Sequence, residues 1–234
     1  MIKLPNPLKT KERLRIPRLL GHNSHAIIGR AMRKVREDKK DLATGLLSFI
    51  GDIEETVEVL THGGGIYLGT GLNFLKDYEL QNLLRELNKV YEDELKIEVE
   101  INIPFSTSRA ILNTLLGNII DNAINIQYNQ RRKITKVRAE FLLGFPETAI
   151  YIPDGARDYQ EFVRFSVQNP GEFPRDKPLM DRLTICPERG KRGFGLYFTG
   201  LAAKVLRAPV DIKSEKEIVD VSFYHPIYRD EERT

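Results

Sequence analysis

The sequence lacks three features that would place it in a protein class at once. No stretch approaches the roughly 20 apolar residues of a membrane span, and the first residues lack the apolar region of a signal peptide. A single cysteine, Cys186, excludes an internal disulfide framework and a cysteine-rich zinc site. The 36 basic and 33 acidic residues give a net charge of +3, too small to indicate nucleic-acid binding. We therefore expect a soluble, cytoplasmic protein with no membrane span and no nucleic-acid partner.

The 234 residues are 41% apolar, which is enough for one ordinary domain and a smaller one. The stretch 112–123 predicts a helix that packs one face into a core, because its apolar residues recur at steps of three and four. These residues are Leu112, Leu115, Leu116, Ile119 and Ala123. On the neighbouring face, Asn118 and Asn122 are one turn apart with Asp121 beside them.

Two stacked asparagines on a core helix need an explanation, because burying an amide without partners is costly. They could form an exposed polar face or a hydrogen bond between helices. They could also belong to a metal-phosphate site, because amide oxygens suit Mg²⁺ when phosphates supply the negative charge.

Two downstream turns favour the metal-phosphate site. Asn169-Pro170-Gly171 follows the strand-like run 162–167, and the glycine-rich loop 190–195 leads into a helical apolar pattern. Glycines before a helix let backbone N–H groups approach phosphate oxygens, and the helix dipole favours the anion. One glycine pair alone is weak evidence, whereas the three motifs in this order are specific.

With these motifs, residues 75–228 resemble the ATP-binding domain of sensor histidine kinases, in a wider group with heat-shock chaperone and mismatch-repair ATPases. Asn118 to Asn122 matches the N box, Asn169-x-Gly171 the first glycine box and 193–196 the second. The resemblance implies an α+β protein whose α/β sandwich, with a mixed sheet, binds ATP and Mg²⁺. The site residues it implies are Asn118, Asp121, Asn122, Asn169, Gly171, Lys191, Arg192, Gly193, Gly195 and Leu196.

The resemblance also implies individual roles. Asn122 is the expected Mg²⁺ ligand, Asn169 meets the adenine amino group, and the second glycine box holds the phosphates, with Lys191 or Arg192 supplying positive charge. Most members have Asp in place of Asn169, but an amide carbonyl also accepts a bond from an amino group. The hydrolytic relatives have a water-activating Glu in place of Asn118, so we expect slow hydrolysis and disfavour a chaperone-like or repair-like ATPase.

The N-terminal third predicts a different unit. Residues 1–15 are expected to be irregular, and 16–62 reads as two amphipathic helices that form an antiparallel hairpin. Its apolar face can be buried by dimerisation into a four-helix bundle, or by packing against the ATP domain of the same chain. Three consecutive glycines make 63–74 a candidate hinge before the ATP-binding domain at 75–230.

In histidine kinases such a hairpin carries the phosphoacceptor histidine and makes the homodimer. The candidates are His22 first and His25 second, because the apolar stripe leaves His22 on an accessible flank. The resemblance then implies relay of phosphate to an aspartate of a response-regulator receiver domain. Asn23 follows His22 where the family usually has an acid, so the alternative is a phosphotransferase or regulatory adaptor without autokinase activity. A metal pair of His22 and His25 lacks a third ligand.

The remaining pattern predicts a helix over 78–95, a strand over 97–103 and a terminal hairpin from 209–213 and 218–224. Between the N box and the first glycine box we expect a solvated basic insertion, which could also touch phosphates or an acidic partner, followed by strands near 141–145 and 149–152. Prolines in 173–189 predict an irregular lid over the nucleotide.

Overall fold

The computed structural model describes residues 3–5, 65–67, 73–75, 81, 84, 95–100, 105–107, 109–130, 135–171, 178–187 and 194–228. The predicted helical hairpin at 16–62, with His22 and His25, lies outside the described residues. The same holds for Lys191, Arg192 and Gly193 of the glycine-rich loop. The hairpin, its dimerisation and the phosphoacceptor therefore stay predictions.

The elements are numbered in chain order. They are β1 (Lys3–Pro5), β2 (Gly65–Tyr67), β3 (Asn73–Leu75), β4 (Leu95–Val99), β5 (Phe105–Thr107), α1 (Arg109–Gln130), β6 (Thr135–Leu143), β7 (Glu161–Pro170), α2 (Leu179–Thr184), α3 (Phe194–Val205), β8 (Val210–Glu215) and β9 (Ile218–Pro226), with a 3-10 turn at Ala156–Asp158. Gln81 and Leu84, inside the predicted helix 78–95, are helical. No helix among the described residues is long and apolar enough to cross a bilayer.

A five-stranded mixed sheet organises the described part of the chain, in agreement with the predicted α/β architecture. Its strand order is β4-β6-β7-β9-β8, with β4 and β6 parallel and every other neighbouring pair antiparallel. Two short antiparallel pairs, β1 with β2 and β3 with β5, accompany it. The predicted terminal hairpin is confirmed as β8 and β9.

One face of the sheet is apolar and is covered by α1 and α3. Along β7, Val163, Phe165 and Val167 alternate onto this face, as a strand with one buried side requires. The predicted apolar face of α1 is confirmed, because all five of its residues named above are buried in the same core. From α3 the core receives Tyr197, Phe198, Leu201, Ala202, Ala203 and Val205. Burying each large apolar side chain contributes about 1.5–3 kcal/mol, so these two helices are firmly held on the sheet.

The opposite face of the sheet is lined by charged pairs. Arg164 on β7 donates to Glu140 on β6 at 2.9 Å and to Asp220 on β9 at 3.3 Å. Arg138 pairs with Glu100 at 2.6 Å. The charges on this face neutralise each other across neighbouring strands, which suits a polar surface beside water.

The prediction of a solvated basic insertion is wrong from Thr135 onward. Lys136 and Arg138 are exposed on β6, a strand whose alternate residues Thr135, Val137 and Ala139 are buried. The basic residues of the cluster alternate with buried residues, which is the period-two pattern of a half-buried strand. Basic residues can occupy the solvent side of such a strand. Residues 149–152, which are described, do not form the expected strand. Tyr151 forms an isolated bridge to Val210.

Three segments differ in smaller ways from the predicted elements. β4 begins at Leu95, two residues before the predicted strand and at the last residue of the predicted helix. Within the N-terminal segment expected to be irregular, Lys3–Pro5 forms β1, because a residue before proline favours extended backbone. The partner of β1 is β2, which lies within the candidate hinge 63–74.

The segment expected to be an irregular lid contains the helix α2. Its N-cap is Pro178, and a proline at a helix start removes no N–H that the helix needs. Leu183 of α2 is buried in the core cluster beneath it. The prolines of this segment thus flank a helix. The prediction that they make the segment irregular is wrong for the residues of α2.

Candidate functional site

The candidate site is built around a close approach of α1 to the beginning of α3. The Asn122 side chain on α1 is exposed, and its Nδ2 lies 2.6 Å from the position that a Cβ on Gly195 would occupy. Real Cβ atoms are never that close to a neighbour, so the second residue of α3 has to be glycine for this contact. The structure therefore brings two predicted site residues together, one from the N box and one from the second glycine box.

The other polar residues of the N box differ from Asn122 in exposure. Asn118 is 5% exposed and Asp121 is also buried, and both take part in further interactions within the structure. The three residues therefore do not form one exposed row. Asn122 is the member that faces solvent, where a ligand can reach its amide oxygen.

The first turns of α3 are reinforced by a side chain that the sequence analysis did not single out. Thr199, fully buried, donates its hydroxyl to the carbonyl oxygen of Gly195 at 3.0 Å. A threonine bonding back by one turn is a common local interaction in helices, so its signal in the sequence is weak. Leu196, the last residue of the second glycine box, is half-buried and packs against the core. The turn that contains Gly195 is thus contacted by Thr199 and packed against the core through Leu196.

Asn169 and Gly171 lie at the end of β7. Asn169 is 3% exposed, and its Nδ2 donates to the Pro170 carbonyl at 3.1 Å, an orientation in which Oδ1 is the acceptor atom. Gly171 has φ +146°, a conformation that L-residues rarely adopt, and its N–H donates to the Glu217 carbonyl at 2.7 Å. The first glycine box therefore needs glycine for its backbone.

The topology places the end of β7 near Asn122. Because β4 and β6 are parallel, the crossover containing α1 runs antiparallel to them and hence in the direction of β7. Both start at one end of the sandwich, since Thr107, just before α1, bonds His225, whose partner on β7 is Val163. From Arg109 to Asn122 the helix rises about 20 Å, and β7 advances about 20 Å from Val163 to Asn169. Asn169 is on the helix-covered face, so both amides reach the same end of the molecule.

A second close backbone approach links α3 to α2. A Cβ on Gly200 would lie 2.0 Å from the Leu183 carbonyl oxygen and 2.8 Å from its carbon. This contact was not predicted from the sequence. The available signal was a glycine in the middle of an apolar helix, where it costs about 1 kcal/mol relative to alanine.

His225 is the one histidine within the part of the chain that the structure describes. It lies far from the candidate site, at the opposite end of the sandwich. Its Nδ1 donates to the Pro226 carbonyl at 2.7 Å, so Nε2 accepts from the Thr107 hydroxyl at 2.6 Å. The ring also stacks edge-on against Tyr228 at 5.5 Å between centroids. Complete burial lowers the pKa of His225 to about 4. This neutral, enclosed ring is part of the framework.

The residues at the site fit a nucleotide and its metal on local grounds. Asn122 presents an exposed amide, the ligand type that Mg²⁺ accepts alongside phosphate oxygens. Gly195 is the second residue of a twelve-residue helix, and helix N-termini attract phosphate. Asn169 offers an acceptor on a buried strand end, which suits an amino group of a base.

Comparison with known proteins gave matches to solved structures alone. No family model matches the chain, and no curated protein matches it. The Acinetobacter baumannii histidine kinase AdeS is 13% identical, with 87% of this chain and 94% of that chain covered and a TM-score of 0.49. The histidine kinase domain of the Erythrobacter litoralis EL346 blue-light activated histidine kinase is 12% identical, with 92% and 96% covered and a TM-score of 0.46. A bacterial phosphotransferase is 16% identical, with 94% and 99% covered and a TM-score of 0.45.

Two of these three proteins are named as histidine kinases, and the third is named as a phosphotransferase. Their TM-scores lie below 0.5 and their identities below 25%, so they carry no argument about the activity of this chain. The functional proposal depends on the described residues and the motifs.

Proposed function

We propose that the chain is the catalytic core of an ATP-dependent protein histidine kinase. The observation that carries the proposal is the contact of Asn122 with Gly195, because it joins an exposed amide ligand to a helix start that accepts phosphate. Asn169 and Gly171 at the end of β7 complete the site on the adenine side.

In this proposal each residue has a stated task. Asn122 would hold Mg²⁺, which would supply positive charge beside the phosphates. Asn169 Oδ1 would accept from the adenine amino group, and the backbone at Gly195 would bind phosphate oxygens, with Lys191 or Arg192 adding charge. Asn118 cannot activate water as a carboxylate would, so bound ATP persists until an acceptor arrives.

The proposed acceptor is His22, or His25, in a hairpin that also forms the homodimer. A neutral ring nitrogen attacks the γ-phosphorus in line, the bond to the bridging oxygen breaks, and ADP leaves. The phosphoryl group then passes from imidazole to an aspartate of a response-regulator receiver domain. The protein contributes mainly positioning and neutralisation of charge.

The first test is calorimetric titration of the full chain with ATP, with and without Mg²⁺. Wild type is expected to bind ATP more tightly with Mg²⁺, and Asn122→Ala is expected to lose this gain, by about tenfold or more in Kd. Alanine at an exposed helix position does not harm the fold, so the variant should unfold at the temperature of the wild type. The absence of magnesium-dependent ATP binding in the wild type would refute the proposal.

The second test is incubation with γ-labelled ATP. We expect an acid-labile, alkali-stable label on the wild type, and none on the chain carrying both His22→Gln and His25→Gln. The single variants then identify the acceptor.

The alternative is a phosphotransferase or regulatory adaptor of the same architecture that has no autokinase activity. Asn23, which follows His22 in place of an acid, favours it. ATP binding without self-labelling, combined with uptake of phosphate from a phosphorylated receiver domain, would establish this alternative. Brisk hydrolysis of ATP without an acceptor would contradict both.

A further inference from the structure

Thr199 is a polar residue within the apolar, buried part of α3. It is fully buried, and Phe198 and Leu201 of the same helix belong to the core. Burying a hydroxyl is costly unless it is bonded, and valine would fill the same volume without a polar atom. The Thr199 hydroxyl is bonded, because it donates to the Gly195 carbonyl oxygen at 3.0 Å. Threonine at this position therefore needs a reason beyond packing.

The bond from Thr199 holds one peptide unit at the start of α3. The carbonyl of Gly195 and the N–H of Leu196 belong to the same planar, trans peptide unit and point in opposite directions. Leu196 is the third residue of α3, so its N–H is one of the first-turn donors that the helix itself leaves without a partner. A hydrogen bond that fixes the carbonyl consequently fixes the direction of this N–H and polarises it.

The direction of α3 places Thr199 inside the molecule. The helix begins beside Asn122, and it ends near His225, because the Leu206 carbonyl accepts from Tyr228, whose ring contacts His225. Thr199 therefore lies one turn inside the end that would bind the nucleotide. Because it is fully buried, it can act on a ligand only through the peptide unit that it bonds.

We propose that Thr199 is a positioning residue: its hydroxyl orients the peptide unit between Gly195 and Leu196 so that the Leu196 N–H is directed at a phosphate oxygen. This proposal rests on the proposed function, in which the start of α3 binds the phosphates. Removing the hydroxyl releases the peptide unit, and the phosphate loses one well-directed donor. Adenosine has no phosphate, so its binding does not depend on this donor.

Two substitutions separate the hydroxyl of Thr199 from its packing. Thr199→Val keeps the shape and removes the hydroxyl together with its bond to the helix backbone, a change that leaves stability nearly equal or raises it. Thr199→Ser keeps the hydroxyl and removes a buried methyl group, so the cavity left behind lowers the free energy of unfolding. The expected order of the two variants in stability is therefore opposite to their expected order in affinity for ATP.

Thr184 on α2 supplies a matched control. Its hydroxyl donates to the Met180 carbonyl at 2.9 Å, the same kind of bond to the residue one turn earlier, at an exposed position. Thr184→Val therefore removes an equivalent bond from a helix that has no part in the proposed binding of phosphate.

The experiment compares wild type, Thr199→Val, Thr199→Ser and Thr184→Val by calorimetric titration with ATP in the presence of Mg²⁺ and with adenosine. We expect Thr199→Val to lose affinity for ATP by about fivefold or more, and the other two variants to stay within about twofold of wild type. Affinity for adenosine should stay within about twofold in all of them. Urea unfolding should place Thr199→Val at or above the wild type in stability and Thr199→Ser below it.

A second measurement needs no nucleotide. The amide nitrogen NMR resonance of Leu196 responds to hydrogen bonding at the carbonyl of the same peptide unit. In the nucleotide-free chain we expect this resonance to shift further in Thr199→Val than in Thr199→Ser. Equal positions in wild type and Thr199→Val would show that the hydroxyl does not orient this peptide unit.

Each result decides the proposal. An equal loss of ATP affinity in Thr199→Val and Thr199→Ser refutes it in favour of packing, and an equal loss in Thr184→Val refutes it in favour of a general effect on helices. Unchanged ATP affinity in Thr199→Val refutes it directly. If Thr199→Val does not fold, Thr199→Ala differs from Thr199→Ser by the hydroxyl alone and has the same expected result. A wild type that binds no ATP refutes the proposed function, and the Leu196 resonance then still decides whether Thr199 orients the peptide unit.

Discussion

The amide nitrogen of Asn122 occupies the space that a side chain on Gly195 would need, 2.6 Å from where the Cβ would stand. Asn122 is a short side chain with a rotatable amide, so it can move away from an added methyl group. A substitution at residue 195 should consequently change the site more than it changes the fold. This property separates Gly195 from Gly200, where an added Cβ would meet the backbone of Leu183.

We predict that Gly195→Ala weakens magnesium-dependent ATP binding by about tenfold or more without destabilising the protein. Alanine is the better helix former by about 1 kcal/mol, which offsets the cost of moving the Asn122 amide. Calorimetric titration measures the affinity, and urea unfolding measures the free energy of unfolding.

Gly144→Ala is the matched control. Gly144 has φ +79° and nothing within 4 Å of an added Cβ, so alanine there should cost about 1–2 kcal/mol of stability through backbone strain alone. ATP affinity should be unchanged. If the two variants lose ATP affinity equally, the site has been wrongly placed.

Much of this site could be predicted from sequence because its motifs are local. The apolar spacing lies on α1, the run before Asn169 lies on β7 and Gly195 lies on α3, and the structure has each of these elements. The contact between Asn122 and Gly195 joins residues more than 70 positions apart. Sequence alone provided the two residues, and the resemblance to a family provided the expectation that they meet.

What could not be predicted depends on packing between distant elements. Glycine is required at residue 200 because the backbone of Leu183 lies against it, and this contact is visible only in the folded structure. The alternation of β6 was hidden because Lys136 and Arg138 look like a charge cluster until their buried neighbours are seen to share a strand. Whether a polar residue in a half-buried strand is exposed depends on the neighbouring strands and on the face that the sheet buries. Sequence periodicity alone does not give that information.

Gly171 provides a second prediction about backbone conformation. Its φ of +146° lies in a region that side chains disfavour, and its N–H is bonded to Glu217 at 2.7 Å. Gly171→Ala should cost about 1–3 kcal/mol in the free energy of unfolding and should weaken adenosine binding next to Asn169. Urea unfolding and adenosine titration measure the two effects. Retention of full stability would show that the turn relaxes at no cost.

Two substitutions in the turn between β8 and β9 should raise the free energy of unfolding. Lys216 and Glu217 have φ of +49° and +61°, the left-handed pair of a type I′ turn, although neither residue favours that conformation. Replacing them by Asn-Gly should stabilise the protein by about 1 kcal/mol or more, measured by urea unfolding. Lys213→Gln combined with Glu215→Gln, on the adjoining strand, also removes one charge of each sign without altering the turn and should not stabilise. An equal gain from both changes would attribute the effect to charge.

His225 predicts a specific loss of stability in acid. Burial lowers its pKa to about 4 in the folded state, whereas the ordinary value of 6.5 applies to the unfolded chain. Between these values the unfolded state takes up a proton that the folded state refuses, so stability falls as pH decreases from about 6.5 to about 4 and levels off below. The full contribution, present above pH 6.5, is about 3 kcal/mol.

The test is urea unfolding at a series of pH values for wild type and His225→Gln. Glutamine keeps polar atoms near Thr107 and Pro226 but cannot titrate, so the variant should be less stable at neutral pH and less sensitive to acid. Because the other groups titrate alike in both proteins, the difference between the two curves isolates His225. That difference should shrink by about 3 kcal/mol between pH 7 and pH 4. Parallel curves would mean that His225 is protonated as readily in the folded chain as in the unfolded one, and the enclosed Thr107–His225–Pro226 contact would then have to open below neutral pH.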